Sequence, residues 1–335
     1  MVLVTGGTGL VGSHLLVHLL GNGISVRAIH RKGSDLQRVR KVFSYYVGNP
    51  TELFQKIDWV EADVNDIPAL ENAFEGIDRV YHSAAFISFD PNDYDALLKI
   101  NAGGTANIVN LCLAKRVQKL CYVSSIATMG GSADSAKINE ENEFLELHAN
   151  VYARSKYQAE LEVWRGSQEG LPVVIINPGI IIGPGFWEGG SGTLFAIAKK
   201  GYSYYLPGGT GFVGVNDVVR MLYRLMHSNV TNERYLAVSE NRSYREIMTL
   251  LQTNLGLEAP TKQLQFWQLG LFRLLDWLWH SISGRGRRLT KNSIHSLRHQ
   301  ESYDNSKIQR DFDFSFEPLN AAIGFSCSKF MEENR

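Results

Sequence analysis

The chain has 335 residues, of which 44% are hydrophobic, and its 34 Lys and Arg balance its 34 Asp and Glu. This length predicts one large domain with an embedded smaller lobe, or two domains. The charge balance excludes the basic footprint of a protein that binds nucleic acid or an anionic membrane surface, so we expect small molecules as partners.

Apolar runs rich in β-branched residues alternate with helical patterns along the first half of the chain. Strand-like runs lie at residues 2–6, 25–31, 59–64, 79–85, 119–125 and 171–179. Helical patterns lie between them, most clearly at residues 12–23 and 102–115. Continuous apolar strands separated by helices indicate βαβ units and a parallel sheet covered on both faces. We therefore predict an α/β fold built on a Rossmann-type doubly wound sheet.

The regular alternation fades after about residue 184, and the remainder is richer in aromatic residues, Gly and short polar loops. We expect residues 1–184 to form the doubly wound domain and residues 185–335 to form mainly a smaller C-terminal substrate-binding lobe. The segment 207–240 reads as loop, strand and helix, so it could return to the first sheet. The aromatic stretch 264–282 is interrupted by charged residues, so we expect no membrane-spanning helix there.

A glycine-rich turn separates the first predicted strand from the first predicted helix. Its sequence, VTGGTGLVGSHLL, spaces Gly6, Gly9 and Gly12 three residues apart. Gly6 permits a tight turn, Gly9 lets the backbone approach a pyrophosphate, and Gly12 lets the helix pack closely against the strand. The phosphates then meet a helix N-terminus, where free N–H groups favour anions. The turn predicts dinucleotide binding, and the expected contacts include the residues between the glycines, Thr8, Leu10 and Val11.

The choice of dinucleotide depends on the end of the second strand, where an acidic residue favours NAD and a basic one favours NADP. The sequence there, IHRKGSD, places His30 where the acid belongs and follows it with Arg31 and Lys32. We therefore expect NADP, bound through Arg31. The alternative is that both cations only solvate a loop, and that Asp35 or a backbone contact binds NAD.

The ends of the third and fourth strands complete the predicted cofactor site. Asp63 and Val64 are placed to meet an adenine ring, the carboxylate at its exocyclic amine and the valine at its face. Ser83, Ala84 and Ala85 end the fourth strand in small side chains, which leave room for a cofactor across the sheet edge.

Tyr152 and Lys156 lie four residues apart in the sequence YARSK, so on a helix they share one face. Lowering the pKa of a tyrosine from about 10 to about 7 takes roughly 4 kcal/mol. One cation at about 4 Å supplies roughly that energy at an effective dielectric near 20. The pair is therefore able to act as a general acid or base, although the same spacing taken alone is common on helix surfaces.

Further polar residues fall where such a pair would need them. Ser124 and Ser125 end the fifth strand, at the edge where open α/β sheets bind ligands, and a hydroxyl there could bond a substrate carbonyl. Asn101 lies on the preceding helix. It is either a positioner of water or of the lysine, or an amide on the helix surface.

The order of these motifs resembles the extended short-chain dehydrogenase/reductase family, which includes the NAD-dependent epimerases and dehydratases. The resemblance covers about residues 1–240 and rests on the glycine turn, Asp63, Val64, Asn101, Ser125, Tyr152 and Lys156. It implies an NAD(P)-binding Rossmann domain and an enzyme of the extended type.

The resemblance also implies roles for single residues. Tyr152 would be the acid/base, Lys156 would bind the nicotinamide ribose and tune Tyr152, and Ser125 would orient the carbonyl, with Ser124 as the alternative. Pro178 and Gly179 would join Tyr152 and Lys156 in contacting the cofactor. A homodimer through the helix of Tyr152 is common in the family.

Two segments, YARSKYQAELEVW and INPGIIIGPG, are closer to the dihydroflavonol reductase, cinnamoyl-CoA reductase and 3β-hydroxysteroid dehydrogenase branch than to the sugar-nucleotide epimerases. They imply an NAD(P)(H)-dependent oxidoreductase that moves hydride between the nicotinamide and a carbonyl or secondary alcohol of a small, partly hydrophobic substrate. One alternative is an epimerase or dehydratase that acts on a nucleotide sugar with bound NAD, and another is a non-catalytic cofactor sensor. Trp267, Trp277 and Trp279 suit a hydrophobic substrate, but an aromatic stripe is more often core or interface.

Cysteine usage and the first residues bear on location. Cys112, Cys121 and Cys327 lack metal-ligand spacing, so we interpret them as packing residues and expect no metal. The opening MVLVTGG has no basic n-region, so we expect no cleaved signal peptide. Both features predict a cytoplasmic protein.

Overall fold

The computed structural model describes residues 1–130, 137–283 and 300–334, together with Ile294 and Leu297. The side chains of Trp277 and Trp279 lie outside the described part of the chain. Among the described residues, none of the helices combines the length and apolar character needed to cross a membrane.

The strands alternate with helices through the first half of the chain. In chain order the strands are β1 (Val2–Thr5), β2 (Val26–His30), β3 (Asp58–Glu61), β4 (Arg79–His82), β5 (Lys119–Val123), β6 (Val173–Pro178), β7 (Ile180–Ile182), β8 (Tyr204–Tyr205), β9 (Gly209–Gly214), β10 (Glu233–Ala237), β11 (Glu240–Ser243) and β12 (Lys262–Gln263). Seven of them form one sheet in the order β10-β6-β5-β4-β1-β2-β3, and all neighbours in it are parallel. The predicted α/β doubly wound fold is confirmed.

The helices of the described residues cover this sheet and build the smaller C-terminal layer. They are α1 (Leu10–Gly21), α2 (Leu36–Phe43), α3 (Pro50–Phe54), α4 (Ile67–Ala73), α5 (Tyr94–Leu97), α6 (Gly104–Ala114), α7 (Val151–Gln168), α8 (Thr193–Lys199), α9 (Val215–Met226), α10 (Tyr244–Asn254), α11 (Phe266–Ser283), α12 (Ser306–Phe312) and α13 (Leu319–Glu333). A π-helical segment, Leu98–Gly103, joins α5 to α6.

Both faces of the sheet are buried because its strands are apolar at successive positions. In β1, Val2 and Val4 belong to the core beneath α1 and α9, while Leu3 belongs to the core beneath α4, α6 and α7. Successive side chains of a strand point to opposite faces, so a continuous apolar run needs helices on both sides. The order of strands reverses between β1 and β4, and the carboxyl edge at that point is where such sheets bind ligands.

The C-terminal part forms a second, smaller core. The strands β7, β9 and β11 make a three-stranded sheet, and β8 pairs with β12. Phe195, Phe212, Ile247, Ile323 and Phe330 are buried together beside them. This core fastens α13, the last helix, to the rest of the chain.

The segment 207–240 contributes to both sheets. Its strand β10 pairs in parallel with β6 and forms an edge of the seven-stranded sheet, while β9 belongs to the smaller sheet. The division at residue 184 stays a prediction.

The aromatic stretch at residues 264–282 lies almost wholly in α11. Leu269 is buried, whereas Phe266, Trp267, Leu271 and Phe272 are exposed, Trp267 by 69%. The described part of this helix thus has a narrow packed side and a broad apolar surface.

Candidate active site

The glycine turn needs glycine at two of its three predicted positions for steric reasons. Gly6 has φ +70°, and a Cβ there would lie 2.6 Å from the backbone nitrogen of Ala84. A Cβ on Gly12 would lie 2.1 Å from the carbonyl oxygen of Gly6. Gly9 is less crowded, since its nearest neighbour would be 3.4 Å away. The turn therefore lies against the end of β4 and presents bare backbone where α1 begins.

A cleft of about 210 Å³ opens at this turn and collects most of the predicted cofactor residues. Its walls include Gly6, Thr8, Gly9, Arg31, Asp63, Val64, Ser83, Ala84 and Ala85. Leu10 and Val11 instead follow the turn into α1, and Val11 packs against the core. The cleft forms because the ends of β1, β2, β3 and β4 meet at one edge of the sheet.

After β2, Arg31 is exposed at the cleft, whereas the nearby acid Asp35 caps a helix. The backbone N–H of Arg31 donates to the Ser34 hydroxyl over 3.1 Å. Asp35, the alternative ligand for NAD, caps α2 by accepting from the backbone N–H of Arg38 over 3.0 Å. Its carboxylate therefore stabilises a helix N-terminus.

At the end of β3, Asp63 and Val64 border the cleft side by side. The carboxylate of Asp63 accepts from the backbone N–H of Asn65 over 2.9 Å and from its side-chain amide over 3.1 Å. Asn107 of α6 donates to the carbonyl of Val64 over 3.0 Å. These bonds fix the loop that a bound ring would contact.

Tyr152 and Lys156 lie on α7, whose N-terminus is capped by Asn150. Burial raises the pKa of Tyr152 to about 12, and a hydrogen bond with Ser125 opposes this rise. Burial lowers the pKa of Lys156 to about 7, and the carboxylate of Glu160 opposes this fall.

These values differ from the sequence argument, in which the lysine lowers the pKa of the tyrosine. The reason is the direction of the ammonium: Lys156 Nζ donates to the hydroxyl of Tyr122 over 2.7 Å and to the carbonyl of Val123 over 2.8 Å. The cation lies against β5, and desolvation dominates at Tyr152.

The two consecutive serines after β5 have different surroundings. The Ser125 hydroxyl accepts from the backbone N–H of Ala127 over 3.1 Å and lies beside Tyr152. The Ser124 hydroxyl is buried and donates to the carboxylate of Glu160 over 2.6 Å. Only Ser125 therefore shares the site of Tyr152.

Sequence reasoning missed the buried carboxylate of Glu160, four residues after Lys156. It accepts from the hydroxyls of Ser124 and Thr128, from the amide of Asn177 over 3.0 Å and from Arg234 over 3.2 Å. The signal available was an acidic residue continuing the i, i+4 spacing of Tyr152 and Lys156 on the same helix face. This cluster joins α7 to the ends of β5 and β6.

Asn101 lies in the π-helical segment and uses its whole amide. Its Oδ1 accepts from the backbone N–H of Phe86 over 2.7 Å, and its Nδ2 donates to the carbonyl of Phe86 over 3.0 Å and to the Ser155 hydroxyl over 2.9 Å. The side chain thus ties the loop after β4 to α7. It contacts neither Lys156 nor Tyr152 through these bonds.

Pro178 and Gly179 lie at the end of β6, away from the walls of the cleft. A Cβ on Gly179 would lie 2.3 Å from the carbonyl oxygen of Gly211. Glycine at this position therefore allows β6 to pass close to β9.

Comparison with known proteins agrees with this geometry. Residues 2–237 match the model of the NAD dependent epimerase/dehydratase family. The chain is 28% identical to a putative dihydroflavonol 4-reductase of Synechocystis sp. over 329 residues, covering 96% of this chain and 91% of that protein. It is 27% identical to the sterol demethylase protein B of Methylococcus capsulatus, covering 98% of each.

A solved structure shares the fold over the whole chain. The UDP-glucose 4-epimerase of Thermotoga maritima superimposes with a TM-score of 0.76 at 17% identity, covering 100% of this chain and 99% of that one. At 17% identity this similarity shows a shared fold and nothing more specific.

Proposed function

Since the chain belongs to the NAD dependent epimerase/dehydratase family, we propose that it is an NADP(H)-dependent reductase acting on a carbonyl or secondary alcohol. The observation that carries this proposal is that Ser125 lies beside Tyr152, whose helix also holds Lys156. The three side chains are those that carbonyl reduction requires: a donor to the carbonyl oxygen, a proton source and a cation.

The cleft at the glycine turn suits a dinucleotide because bare backbone leads there into the N-terminus of α1, where free N–H groups favour phosphates. The turn, Asp63 and Val64 would hold the cofactor, which supplies the hydride when bound. For the choice of NADP, the support is Arg31, whose guanidinium is exposed at the cleft. A guanidinium matches the 2′-phosphate that distinguishes NADP from NAD, and Asp35 is already occupied as a cap.

The residues of the site divide the proton transfer between them. Ser125 and Tyr152 would both donate to the carbonyl oxygen, and Tyr152 would release its proton to it during reduction. The raised pKa of Tyr152, about 12, keeps its hydroxyl protonated at neutral pH, which is the form that reduction needs. Lys156 would bind the nicotinamide ribose; in this structure its ammonium lies against β5 and does not lower the pKa of Tyr152.

The surface beside Tyr152 supports a substrate with a hydrophobic body. The ring of Phe89 lies 5.6 Å from that of Tyr152 in an edge-on arrangement, and Ile87 and Phe89 are 52% and 46% exposed. Exposed apolar side chains at a catalytic hydroxyl favour an apolar ligand. Two of the relatives are named for a dihydroflavonol and for a sterol.

A substrate screen with both cofactors tests the proposal. The purified protein should oxidise NADPH, read by nicotinamide absorbance, with ketones or aldehydes that carry an aromatic or alicyclic body. It should release its cofactor on desalting. Tightly retained NAD, with interconversion of nucleotide sugars and no net oxidation of NADPH, would instead establish the epimerase or dehydratase alternative. Cofactor binding without turnover on any substrate would favour a sensor.

Three finer expectations stay part of the proposal. We propose a cytoplasmic location, a substrate-binding lobe formed mainly by residues 185–335, and a homodimer through α7 and its neighbouring helix. An apolar residue of α7, Leu161, is 42% exposed and would be covered in such a dimer. Light scattering of the wild type and of Leu161→Glu tests it: the wild type should have twice the chain mass and the variant a smaller one.

A further inference from the structure

Lys156 is held by contacts with β5. Its Nζ donates to the Tyr122 hydroxyl over 2.7 Å and to the carbonyl oxygen of Val123 over 2.8 Å. The same ammonium lies 4.4 Å from the centre of the Tyr122 ring. Only 2% of Lys156 and 1% of Tyr122 are exposed. The position of the lysine therefore depends on a tyrosine that is absent from the predicted catalytic set.

The Tyr122 hydroxyl is itself fixed by a second partner, Thr105 of α6. Thr105 donates its only hydroxyl proton to the carbonyl of Asn101 over 2.5 Å. Its oxygen accepts from His82 Nε2, which lies 2.9 Å away. This assigns the ring proton of His82 to Nε2, and His82 Nδ1 accepts from the Thr5 hydroxyl over 2.6 Å. The Tyr122 oxygen accepts from the ammonium of Lys156.

The titratable groups near Lys156 are neutral or have other partners, so the hydroxyl of Tyr122 is the side-chain acceptor that its ammonium uses. Burial and, to a smaller extent, the charge of Lys156 lower the pKa of His82 on β4 to about 3, so this ring is neutral. Burial raises the pKa of Tyr122 well above its usual value. On α7, Tyr152 is protonated, and Glu160 bonds to Ser124 and Arg234.

We propose that Tyr122 is a positioning residue of the active site, whose hydroxyl holds the ammonium of Lys156 against β5. This inference rests on the proposed function, in which Lys156 contacts the cofactor. Without the hydroxyl, the buried ammonium keeps only the carbonyl of Val123. It then loses its proton at a lower pH and its orientation is less defined.

The chain offers a matched control for a Tyr122→Phe variant. Tyr81 lies on the neighbouring strand β4, is equally buried, and its hydroxyl has no hydrogen-bond partner among the described residues. Tyr122→Phe should weaken NADPH binding, measured by fluorescence titration without substrate, roughly tenfold, as expected for one hydrogen bond to a charged group. The pH above which NADPH affinity falls should move to lower pH by about half a unit or more. Tyr81→Phe should change neither.

Each outcome of this experiment decides a separate question. If the wild type binds no nicotinamide dinucleotide, the proposed function is wrong. If the wild type binds NADPH and both Phe variants bind it equally well with the same pH dependence, the role of Tyr122 is wrong. Should Tyr122→Phe not fold, Thr105→Val removes the hydroxyl beside that of Tyr122, and Thr105→Ser restores it. We expect weaker NADPH binding for the Val variant and recovery for the Ser variant, whereas equal binding by both would overturn the inference.

Discussion

Ser124 donates its hydroxyl proton to the buried carboxylate of Glu160 over 2.6 Å, whereas Ser125, the next residue, lies beside Tyr152 and opposes the rise of its pKa. Successive residues at the end of an extended strand point in opposite directions. One serine therefore reaches into the packing between α7 and the sheet, and the other reaches the proposed site. This difference separates a structural serine from the serine that we propose to be catalytic, and it makes both roles testable.

Replacing each serine by alanine should affect different properties. Ser125→Ala removes a donor to the carbonyl oxygen, so kcat/KM should fall about 100-fold or more while the melting temperature changes little. Ser124→Ala leaves a buried carboxylate with one donor fewer, so the free energy of unfolding should fall by about 1–3 kcal/mol with a smaller effect on kcat. Steady-state kinetics and urea unfolding of both variants check this. If Ser124→Ala lost activity and Ser125→Ala lost only stability, Ser124 would be the catalytic serine.

Tyr152→Phe should abolish turnover with little change in cofactor affinity. The variant lacks the hydroxyl proton that reduction needs. General acid catalysis of this kind contributes about 10²–10⁴-fold to the rate. Lys156→Ala should reduce both kcat and NADPH affinity, because this lysine would contact the cofactor as well as the tyrosine. Tyr157→Phe is the control on the same helix, since the ring of Tyr157 stacks on Phe144 at 4.2 Å. Near-wild-type kcat in Tyr152→Phe would disprove the acid/base role.

Arg31→Glu should weaken NADP binding far more than NAD binding. The substitution removes a guanidinium that would bond the 2′-phosphate and places a like charge there, so we expect a loss of roughly 10- to 100-fold for NADPH. Lys41→Glu changes the same charge on an exposed position of α2 and should leave both affinities nearly unchanged. Fluorescence titration with NADPH and NADH measures the ratio. Equal losses for the two dinucleotides would remove the argument for NADP.

The sheet and the glycine turn were predictable because their signals are local. Continuous apolar runs such as Val2-Leu3-Val4 require two cores, and Gly6 and Gly12 are required by atoms a few residues or one strand away. Such patterns depend on residues that are close to one another in the sequence. The family resemblance then follows from the order of these motifs along the chain.

The side-chain partners of the site were not predictable from spacing. Tyr122 and Lys156 are 34 residues apart and meet only because α7 packs on β5. The balance of burial and charge that sets the pKa of Tyr152 also depends on that packing. The i, i+4 spacing predicts a shared helix face, but it does not say that the lysine turns toward the sheet.

Two buried histidines should make the protein less stable in acid. Burial lowers the pKa of His14 to about 4 and, with the charge of Lys156, that of His82 to about 3, from an ordinary value of 6.5. The unfolded chain therefore binds more protons than the folded one below about pH 6.5. The stabilisation is complete above that pH and is lost as the pH falls toward about 4.

The slope of the free energy of unfolding against pH shows which histidine is responsible. Each such histidine should contribute about 1.4 kcal/mol per pH unit between pH 6 and pH 4.5. His14→Phe removes one buried imidazole together with the hydrogen bond of its Nδ1 to the carbonyl of Leu10. The lost bond lowers stability at every pH, whereas the lost imidazole should remove the slope of one proton. Urea unfolding at a series of pH values measures both slopes. An unchanged slope in His14→Phe would mean that His14 is protonated in the folded protein. Its burial on α1, with its ring against that of Tyr46, argues for the neutral form.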